Sequence, residues 1–278
     1  MQLRTGLIGL PIAASPSPAM HNAAFAALAI AASYELWPTT SEELPSRIEM
    51  VRDDAILGAN VTIPHKQQII PLLDALDTSA ALVGAVNTIV KRDGMLYGYN
   101  TDARGLLRVI REAQIANPAH VLIIGAGGAA RAAIVAASMA GARQITLLAR
   151  HFEQANKLAQ EFQSLIPEIV CEACEESVQC EKIASADIVI QTTPVGSQAQ
   201  PGIPIRSDLA EQFKQTAVLI DIITQDTPLI HAARARQLTA INGLSMLLYQ
   251  GAYAFELWTH QQAPIASMRK ALTHSTLL

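Results

Sequence analysis

A glycine-rich run in the middle of the chain constrains the fold most strongly. Residues 125–130 read G-A-G-G-A-A and fit the pattern G-x-G-x-x-G/A. The stretch H-V-L-I-I at 120–124, aliphatic after its histidine, predicts a buried strand before the run, and an alanine-rich stretch at 129–140 predicts a helix after it, ending at Gly141. A strand, a tight glycine turn and a helix form the setting in which this pattern binds the pyrophosphate of a dinucleotide. The alternative is a turn whose glycines serve packing only.

Strand-like and helix-like segments continue to alternate after this turn. Residues 144–149, 187–191 and 218–222 predict further strands, and residues 153–162 predict a helix. Such alternation is typical of a βαβ series with a parallel sheet, which is a Rossmann-type domain. The sequence therefore predicts a dinucleotide-binding domain over residues 104–240.

The preceding residues, 1–103, also alternate strands and helices and predict a separate α/β domain. Its predicted segments include a helix over residues 18–32 with Ser17 as the N-cap. They also include a hairpin at Asp93-Gly94, a dipeptide that favours a type I′ turn. The tail, residues 241–278, contains a strongly apolar helical stretch. We therefore expect an α/β chain with two α/β domains and C-terminal helices.

The composition narrows the class of protein. Of the 278 residues, 50% are hydrophobic and 16% are charged, with a net charge of -4, values typical of a soluble enzyme and not of a disordered chain. The weak negative charge argues against nucleic-acid binding, and no apolar stretch reaches the ~18 residues of a membrane span. Cys171, Cys174 and Cys180 have no histidine nearby, so no metal site is expected and the thiols are interpreted as reduced. The prediction is a cytoplasmic protein with a small-molecule partner.

The segment after the next predicted strand bears on the choice of nucleotide. An NAD enzyme usually has Asp or Glu there to bind the ribose 2′-hydroxyl. This chain has Ala149, Arg150 and His151 instead, and a guanidinium is suited to pair with a 2′-phosphate. NADP is therefore the expected cofactor. The alternative is that Arg150 is only a solvated side chain at a strand end.

Four fragments of the first domain combine small polar residues with Gly or Pro, as rigid loops near a ligand do. They are S-P-S-P-A-M-H-N at 15–22, G-A-N-V-T-I-P-H-K at 58–66, G-A-V-N-T at 84–88 and G-Y-N-T-D at 98–102. G-A-G-G-A-A-R at 125–131 and G-L-S-M-L-L-Y-Q-G at 243–251 follow them in the chain. With these motifs in this order, the chain strongly resembles shikimate dehydrogenases over nearly its whole length.

The resemblance implies an NADP-dependent oxidoreductase that reduces 3-dehydroshikimate to shikimate in aromatic amino-acid biosynthesis. It implies Lys66 and Asp102 as the catalytic pair, the lysine stabilising and protonating the oxygen on which charge develops. It also implies that residues 244–260 fold back onto the first domain and bring Gln250 to the substrate. Implied substrate contacts are Ser15 and Ser17 to the carboxylate and Thr62, Asn87, Asp102 and Gln250 around the ring, and implied nucleotide contacts are Gly125, Ala126, Gly127, Gly128, Ala129, Arg150 and Thr192.

Taken singly, the substrate-site residues have plainer explanations. Ser15 and Ser17 fit a turn and a helix cap, because short hydroxylated side chains are common at both. Lys66 fits a solvated charge, and Asp102 fits the N-cap of a following helix.

Three segments depart from the pattern of the family. Residues 149–151 keep only the Arg of the usual Asn-Arg-Thr, and residues 191–197 read Q-T-T-P-V-G-S where N-A-T-P-x-G-M is commoner. The loop at 221–229 is shorter than usual and lacks its tyrosine. These departures leave two alternatives open, a quinate or quinate/shikimate dehydrogenase and an NADP-binding sensor with little turnover. A monomer and a homodimer are both compatible with the sequence.

Overall fold

A computed structural model describes residues 2–115, 117–174, 179–206 and 210–275. These residues form two compact units, one made of the described parts of Met1–Gly105 and Leu247–Leu278, the other of Leu106–Met246. The predicted domain boundaries, 103 and 240, fall a few residues before the observed ones. Among the described residues, no helix is long and apolar enough to cross a membrane.

The secondary structure alternates along the whole chain, as expected for an α/β protein. The strands are β1 Leu3–Gly9, β2 Ala32–Pro38, β3 Ile56–Val61, β4 Ala75–Leu76, β5 Thr88–Arg92, β6 Met95–Tyr99, β7 His120–Ile124, β8 Gln144–Leu148, β9 Val170–Cys174, β10 Ile188–Gln191, β11 Val218–Asp221 and β12 Thr239–Ile241. The helices are α1 Ser17–Ala27, α2 Leu44–Val51, α3 Thr78–Val83, α4 Asp102–Glu112, α5 Gly128–Met139, α6 Phe152–Leu165, α7 Gln179–Ser185, α8 Pro228–Ala235, α9 Leu244–Thr259 and α10 Ile265–Ser275, with a 3₁₀ turn at Ile70–Leu72.

The first unit is built on a mixed sheet with the strand order β2-β1-β3-β5-β6-β4. Strand β1 runs parallel to β2 and β3, whereas β5 is antiparallel to both β3 and β6. The β5–β6 hairpin turns at Asp93 and Gly94, whose φ angles are 51° and 76°. Both angles are positive, as a type I′ turn requires, so the hairpin prediction is confirmed.

The first helix is shorter than the sequence pattern predicts. The alanine-rich stretch predicts a helix to residue 32, but α1 ends at Ala27. The chain leaves the helix at Ala29, which has a left-handed φ of 52°, and the N–H of Ile30 bonds back to the carbonyl of Phe25. This is a Schellman-type ending, with Ala in the position that Gly usually occupies. The predicted Ser17 N-cap is also wrong, because Ser17 is already helical and Pro16 takes the cap position.

The C-terminal helices α9 and α10 belong to the first unit, as predicted for the fold class. The indole N–H of Trp258 on α9 donates to the carbonyl of Ile89 on β5 at 2.9 Å. Phe255 on α9 packs against Phe25 on α1 with ring centroids 5.3 Å apart, and α10 packs along α1. The apolar face of α9 is therefore buried in the core of the first unit, where large aromatic side chains contribute most area.

The second unit is a parallel sheet with the strand order β12-β11-β10-β7-β8-β9. Every pair of neighbouring strands in it is parallel. This is the order 3-2-1-4-5-6 of a dinucleotide-binding fold, read from the β9 edge. All five residues of β7, His120–Ile124, are buried, which explains the continuous run of apolar side chains that follows His120. The predicted Rossmann-type architecture is confirmed.

Candidate active site

Lys66 and Asp102 form an ion pair within the first unit. Lys66 lies in the turn after β3, and its Nζ is 2.6 Å from Oδ2 of Asp102 at the start of α4. Their side chains are 17% and 7% exposed, so the lysine is not the solvated charge of the plainer explanation. Asp102 is not the helix cap either, because the side-chain oxygen of Asn100 accepts the N–H groups of Asp102 and Ala103. The Asp102 carboxylate is thus free to hold the lysine.

Asn87 holds the second oxygen of the same carboxylate. Its Nδ2 donates to Oδ1 of Asp102 at 2.8 Å and to the hydroxyl of Thr101 at 2.9 Å. Its Oδ1 accepts the backbone N–H of Thr101 at 2.8 Å. Because a backbone N–H can only donate, this contact fixes which end of the amide faces Asp102. Both oxygens of Asp102 therefore have donors, as a buried carboxylate requires.

Gln250 joins this cluster from helix α9. Its Oε1 lies 3.3 Å from Nδ2 of Asn87, and its Nε2 donates to the carbonyl of Leu247 at 2.9 Å. The amide nitrogen is thus committed to its own helix. The contact with Asn87 is longer than a typical hydrogen bond, so the amide oxygen of Gln250 remains an available acceptor for a hydroxyl group.

Ser15 and Ser17 lie at the beginning of α1 and bond to each other. Oγ of Ser15 donates to Oγ of Ser17 at 3.1 Å and accepts the backbone N–H of Ser17 at 3.3 Å. The hydroxyl of Ser17 bonds to that of Tyr34, whose pKa is raised by complete burial. The Tyr34 hydroxyl in turn donates to Oδ1 of Asn60 at 2.9 Å. The two serines are therefore tied into the interior of the unit, beyond any role in a turn.

Asn60 connects the serines to the rest of the cluster. Its Nδ2 donates to the carbonyl of Asn87 at 3.2 Å and to the hydroxyl of Thr88 at 3.1 Å. Thr88 donates onward to Oδ1 of Asn87 at 2.9 Å. Sequence reasoning assigned no role to Tyr34, Asn60, Thr88 or Thr101. The last three lie inside the quoted fragments, which is a usable signal, whereas Tyr34 has the pattern of an ordinary core aromatic in a strand.

Thr62 and His65 precede Lys66 in the chain and differ in their hydrogen bonds. The hydroxyl of Thr62 makes no hydrogen bond to a described residue, so it is available to a ligand. His65 is buried, with Nε2 2.7 Å from the carbonyl of Thr39 and Nδ1 3.0 Å from Oε1 of Gln68. Both ring nitrogens are therefore committed to anchoring the turn that carries Lys66.

His21 is a packing residue of the first unit. Its ring stacks on Tyr34 with centroids 4.4 Å apart, and neither ring nitrogen has a hydrogen-bond partner among the described residues. Complete burial lowers the pKa of His21 to about 3. A histidine that stays neutral at every physiological pH cannot serve as a general acid, so His21 has a packing role.

The glycine-rich turn of the second unit has the shape that a pyrophosphate needs. Gly125 has a φ of 120°, and a Cβ there would lie 2.4 Å from the hydroxyl oxygen of Thr192. Gly127 is the N-cap of α5, and a Cβ on it would meet no atom within 4 Å. The space beside Gly127 and the free N–H groups of the first helical turn form a cradle for an anion. Ala126, Gly128 and Ala129 are partly exposed around this turn. The residues present therefore fit a dinucleotide.

Arg150 and Thr192 follow β8 and β10, the two strands that flank β7, but differ in availability. Arg150 lies two residues after β8, is exposed and makes no ion pair with a described residue. Arg131 on α5, in contrast, pairs with Glu161 on α6. Thr192 is buried, and its hydroxyl donates to the carbonyl of Ile124 at 2.7 Å. Arg150 is thus the freer cation, whereas Thr192 supports the end of β7.

Asp221 shapes the short loop that departs from the family pattern. Its Oδ1 accepts the N–H of Ile223 at 3.0 Å, and its Oδ2 accepts the hydroxyl of Thr227 at 2.8 Å. Farther along, Asp226 accepts from the side chain of Asn242 at 2.8 Å. Burial raises the pKa of Asp221 to about 6, against two hydrogen bonds that act in the opposite direction. The loop is therefore closed by a carboxylate that titrates near neutral pH.

Comparison with known proteins accounts for nearly all of the chain. The family model described as "Shikimate dehydrogenase substrate binding domain" matches residues 7–89, and "Shikimate 5'-dehydrogenase C-terminal domain" matches residues 243–273. The model "Alanine dehydrogenase/PNT, C-terminal domain" matches residues 102–241.

Individual relatives match over nearly their whole length. A shikimate dehydrogenase (NADP(+)) of Methanothermobacter thermautotrophicus is 40% identical, over 96% of this chain and 95% of the relative. The crystal structure of shikimate 5-dehydrogenase from Thermus thermophilus with NADP(H) and shikimate is 34% identical, with a TM-score of 0.88 over 98% of this chain and 99% of that one. A quinate dehydrogenase from Corynebacterium glutamicum in complex with NAD is 28% identical, with a TM-score of 0.90 over 98% and 99%.

The titration of Asp221 gives a pH-dependent stability that can be measured. Its pKa is raised from 3.8 to about 6 on folding, so the folded chain binds the proton more tightly than the unfolded chain. The stabilisation is full below pH 3.8 and is lost as pH rises through about 6. Asp221→Asn cannot ionise; its Oδ1 can still accept the N–H of Ile223, and its Nδ2 can donate to the hydroxyl oxygen of Thr227 in place of the bond that Thr227 now donates. We expect the melting temperature of the variant, relative to the native chain, to rise between pH 4 and pH 7; a constant difference would contradict the titration.

Proposed function

The chain belongs to the shikimate dehydrogenase family, and on this premise we propose that it catalyses the reversible reduction of 3-dehydroshikimate to shikimate with NADPH, a step of aromatic amino-acid biosynthesis. The observation that carries the proposal is the Lys66–Asp102 ion pair at 2.6 Å within a cluster of amide and hydroxyl groups. A ketone that accepts hydride needs a proton donor beside its oxygen. The remainder of the cluster offers the donors and acceptors that a polyhydroxylated ring acid needs.

Lys66 is the group that stabilises and protonates the reacting oxygen. NADPH, when bound, supplies the hydride to the carbonyl carbon. Negative charge grows on the oxygen at the same time, and the ammonium of Lys66 stabilises it and then donates a proton, which completes the hydroxyl. In the oxidation direction the amine of Lys66 takes the proton from the hydroxyl as the hydride leaves. Asp102 holds Lys66 in place at 2.6 Å, so no reorganisation of the lysine is needed during the reaction.

The other polar side chains of the first unit match the carboxylate and the hydroxyl groups of the substrate. The hydroxyls of Ser15 and Ser17 are neighbouring donors for the ring carboxylate. The amide oxygen of Gln250 accepts from ring hydroxyls, and the hydroxyl of Thr62, which bonds to no described residue, accepts from or donates to them. The amide of Asn87 is held in a fixed orientation by Thr101. A site whose residues are fixed before the ligand arrives loses less entropy on binding.

The second unit supports NADP as the cofactor. The open cradle at Gly127 suits the pyrophosphate, and Arg150, which pairs with no described acidic residue, suits a 2′-phosphate. All candidate substrate contacts come from a single chain, which is compatible with a monomer or a homodimer in the cytoplasm. Neither alternative function is favoured: an NAD-dependent quinate dehydrogenase would need a carboxylate near residue 150, and a sensor would have no need of the Lys66–Asp102 pair.

The direct test is a spectrophotometric assay of nicotinamide reduction. The purified protein is supplied with NADP or NAD, and with shikimate or quinate, in all four combinations. We expect the highest kcat/KM with shikimate and NADP. Faster turnover of quinate with NAD would establish the quinate alternative, and ligand binding without turnover in any combination would establish the sensor.

Replacement of the proposed acid tests its role in turnover. Lys66→Ala removes the ammonium, so we expect kcat to fall by about 10²–10⁴-fold, while KM for shikimate changes far less. Lys91→Ala is the matched control, because Lys91 also lies in the first unit but bonds to the carbonyl of Asp53 at 2.6 Å. The control should retain native kcat. An unchanged kcat in Lys66→Ala would remove the lysine from the reaction.

Replacement of the proposed phosphate contact tests the choice of nucleotide. Arg150→Ala deletes one charge-assisted contact worth about 1.5–3 kcal/mol, so KM for NADP should rise roughly 10–100-fold. KM for NAD should stay the same, because NAD lacks the 2′-phosphate. Arg143→Ala, an exposed arginine before the opposite end of β8, is the control and should change neither constant. Equal losses for both nucleotides would place Arg150 outside the phosphate site.

A further inference from the structure

Helix α9 lies very close to a glycine of α4. Gly105 lies three residues after Asp102 on α4. A Cβ atom at Gly105 would lie 2.8 Å from the backbone nitrogen of Gln250, 3.0 Å from its Cβ and 3.2 Å from its Cα. Separations below 3.0 Å do not occur for real Cβ atoms, and the obstructing atom belongs to a helix backbone, not to a flexible side chain. Only hydrogen fits at this point of α4.

Helix α9 has little room to retreat from Gly105. The next residue, Gly251, faces α1, where a Cβ would lie 2.2 Å from Cε of Met20 and 3.3 Å from Nε2 of His21. Further along α9, Trp258 is fixed to the carbonyl of Ile89 at 2.9 Å. A side chain added at Gly105 would therefore displace the Gln250 segment locally, because the part of the helix that follows Gln250 is held at Gly251 and Trp258.

The contact that such a displacement would affect lies in the proposed substrate site. Oε1 of Gln250 is 3.3 Å from Nδ2 of Asn87, already near the limit of a hydrogen bond. A further shift of a few tenths of an ångström would move this acceptor away from the ring hydroxyl it is expected to bind. Gly105 itself offers no side chain to any ligand.

We propose that Gly105 is a positioning residue of the active site. Because it has no side chain, it sets the spacing between the helix that carries Asp102 and the helix that carries Gln250. That spacing determines how well the ring acid fits. The proposal rests on the proposed function for the identity of that ligand. A glycine in the interior of a helix is destabilising relative to alanine. This destabilisation is tolerated at position 105 because α9 lies too close for any side chain.

The test is a double-mutant cycle on shikimate kinetics with Gly105→Ala, Gln250→Ala and the double variant. Gly105→Ala should raise KM for shikimate about tenfold, with less than a threefold change in kcat and no change in KM for NADP. Because the proposed effect passes through Gln250, the double variant should have the KM of Gln250→Ala alone. Ile48→Val, a mild core change in the same unit, is the control for lost stability and should lower the melting temperature without changing KM.

Other outcomes overturn the proposal. If the two KM effects multiply in the double variant, or if Gln250→Ala leaves KM for shikimate unchanged, Gly105 does not act through Gln250. Neither result affects the proposed function, which is tested separately by the turnover of shikimate and quinate with NADP and NAD by the native chain. Should Gly105→Ala not fold, Met20→Ala is added to open space on the α1 side of α9. The combined variant should then fold with a raised KM, and failure of both to fold would mean that Gly105 serves folding alone.

Discussion

The carboxylate of Asp102 is the group on which the arrangement of the first unit depends. One of its oxygens holds Lys66 at 2.6 Å and the other accepts Asn87 at 2.8 Å. A buried carboxylate is costly unless each oxygen has a donor, and removal of either partner would leave a charge without compensation. The residues at the start of α4 therefore leave this carboxylate without a capping role. Asn100 takes over the capping of the helix, which leaves Asp102 for the lysine.

The other polar residues of the unit form a continuous hydrogen-bonded path to that carboxylate. The path runs from Ser15 through Ser17 and Tyr34 to Asn60, and then through Asn87 to Asp102. The orientation of Asn60 is determined by the backbone carbonyl of Asn87, which can only accept. This leaves the oxygen of Asn60 for the Tyr34 hydroxyl. The proposed carboxylate contacts and the proposed proton donor are thus held by one network, and a satisfied buried network of this kind is rigid.

The sequence predicted the parts of this structure that follow from local rules. These parts are the glycine turn at Gly125, the Asp93-Gly94 hairpin and the parallel sheet. Each depends on the backbone conformation or the hydrophobic period of one segment, and both can be inferred from the residues of that segment. The end of α1 was missed because the alanine-rich stretch continues past Ala29, where the chain turns without a glycine.

Other features depend on residues far apart in the chain and could not be predicted from it. In the sequence Tyr34 resembles an ordinary core aromatic, and only the fold shows that Ser17 and Asn60 bond to its hydroxyl. Nothing in the sequence around Gly105 indicates a close contact, and only the fold shows that Gln250 of α9 lies against it. The roles of Lys66 and Asp102 came from the resemblance to a family, since an exposed lysine and a helix cap were equally good interpretations of those residues alone.

A crystal structure of the protein with shikimate and NADP tests most directly whether this network is the substrate site. We expect the ring carboxylate on the hydroxyls of Ser15 and Ser17, the reacting hydroxyl within hydrogen-bond distance of Nζ of Lys66, and little change in the contacts of Asp102 with Asn87. A ring acid bound elsewhere, or bound with its reacting hydroxyl out of reach of Lys66, would contradict the account.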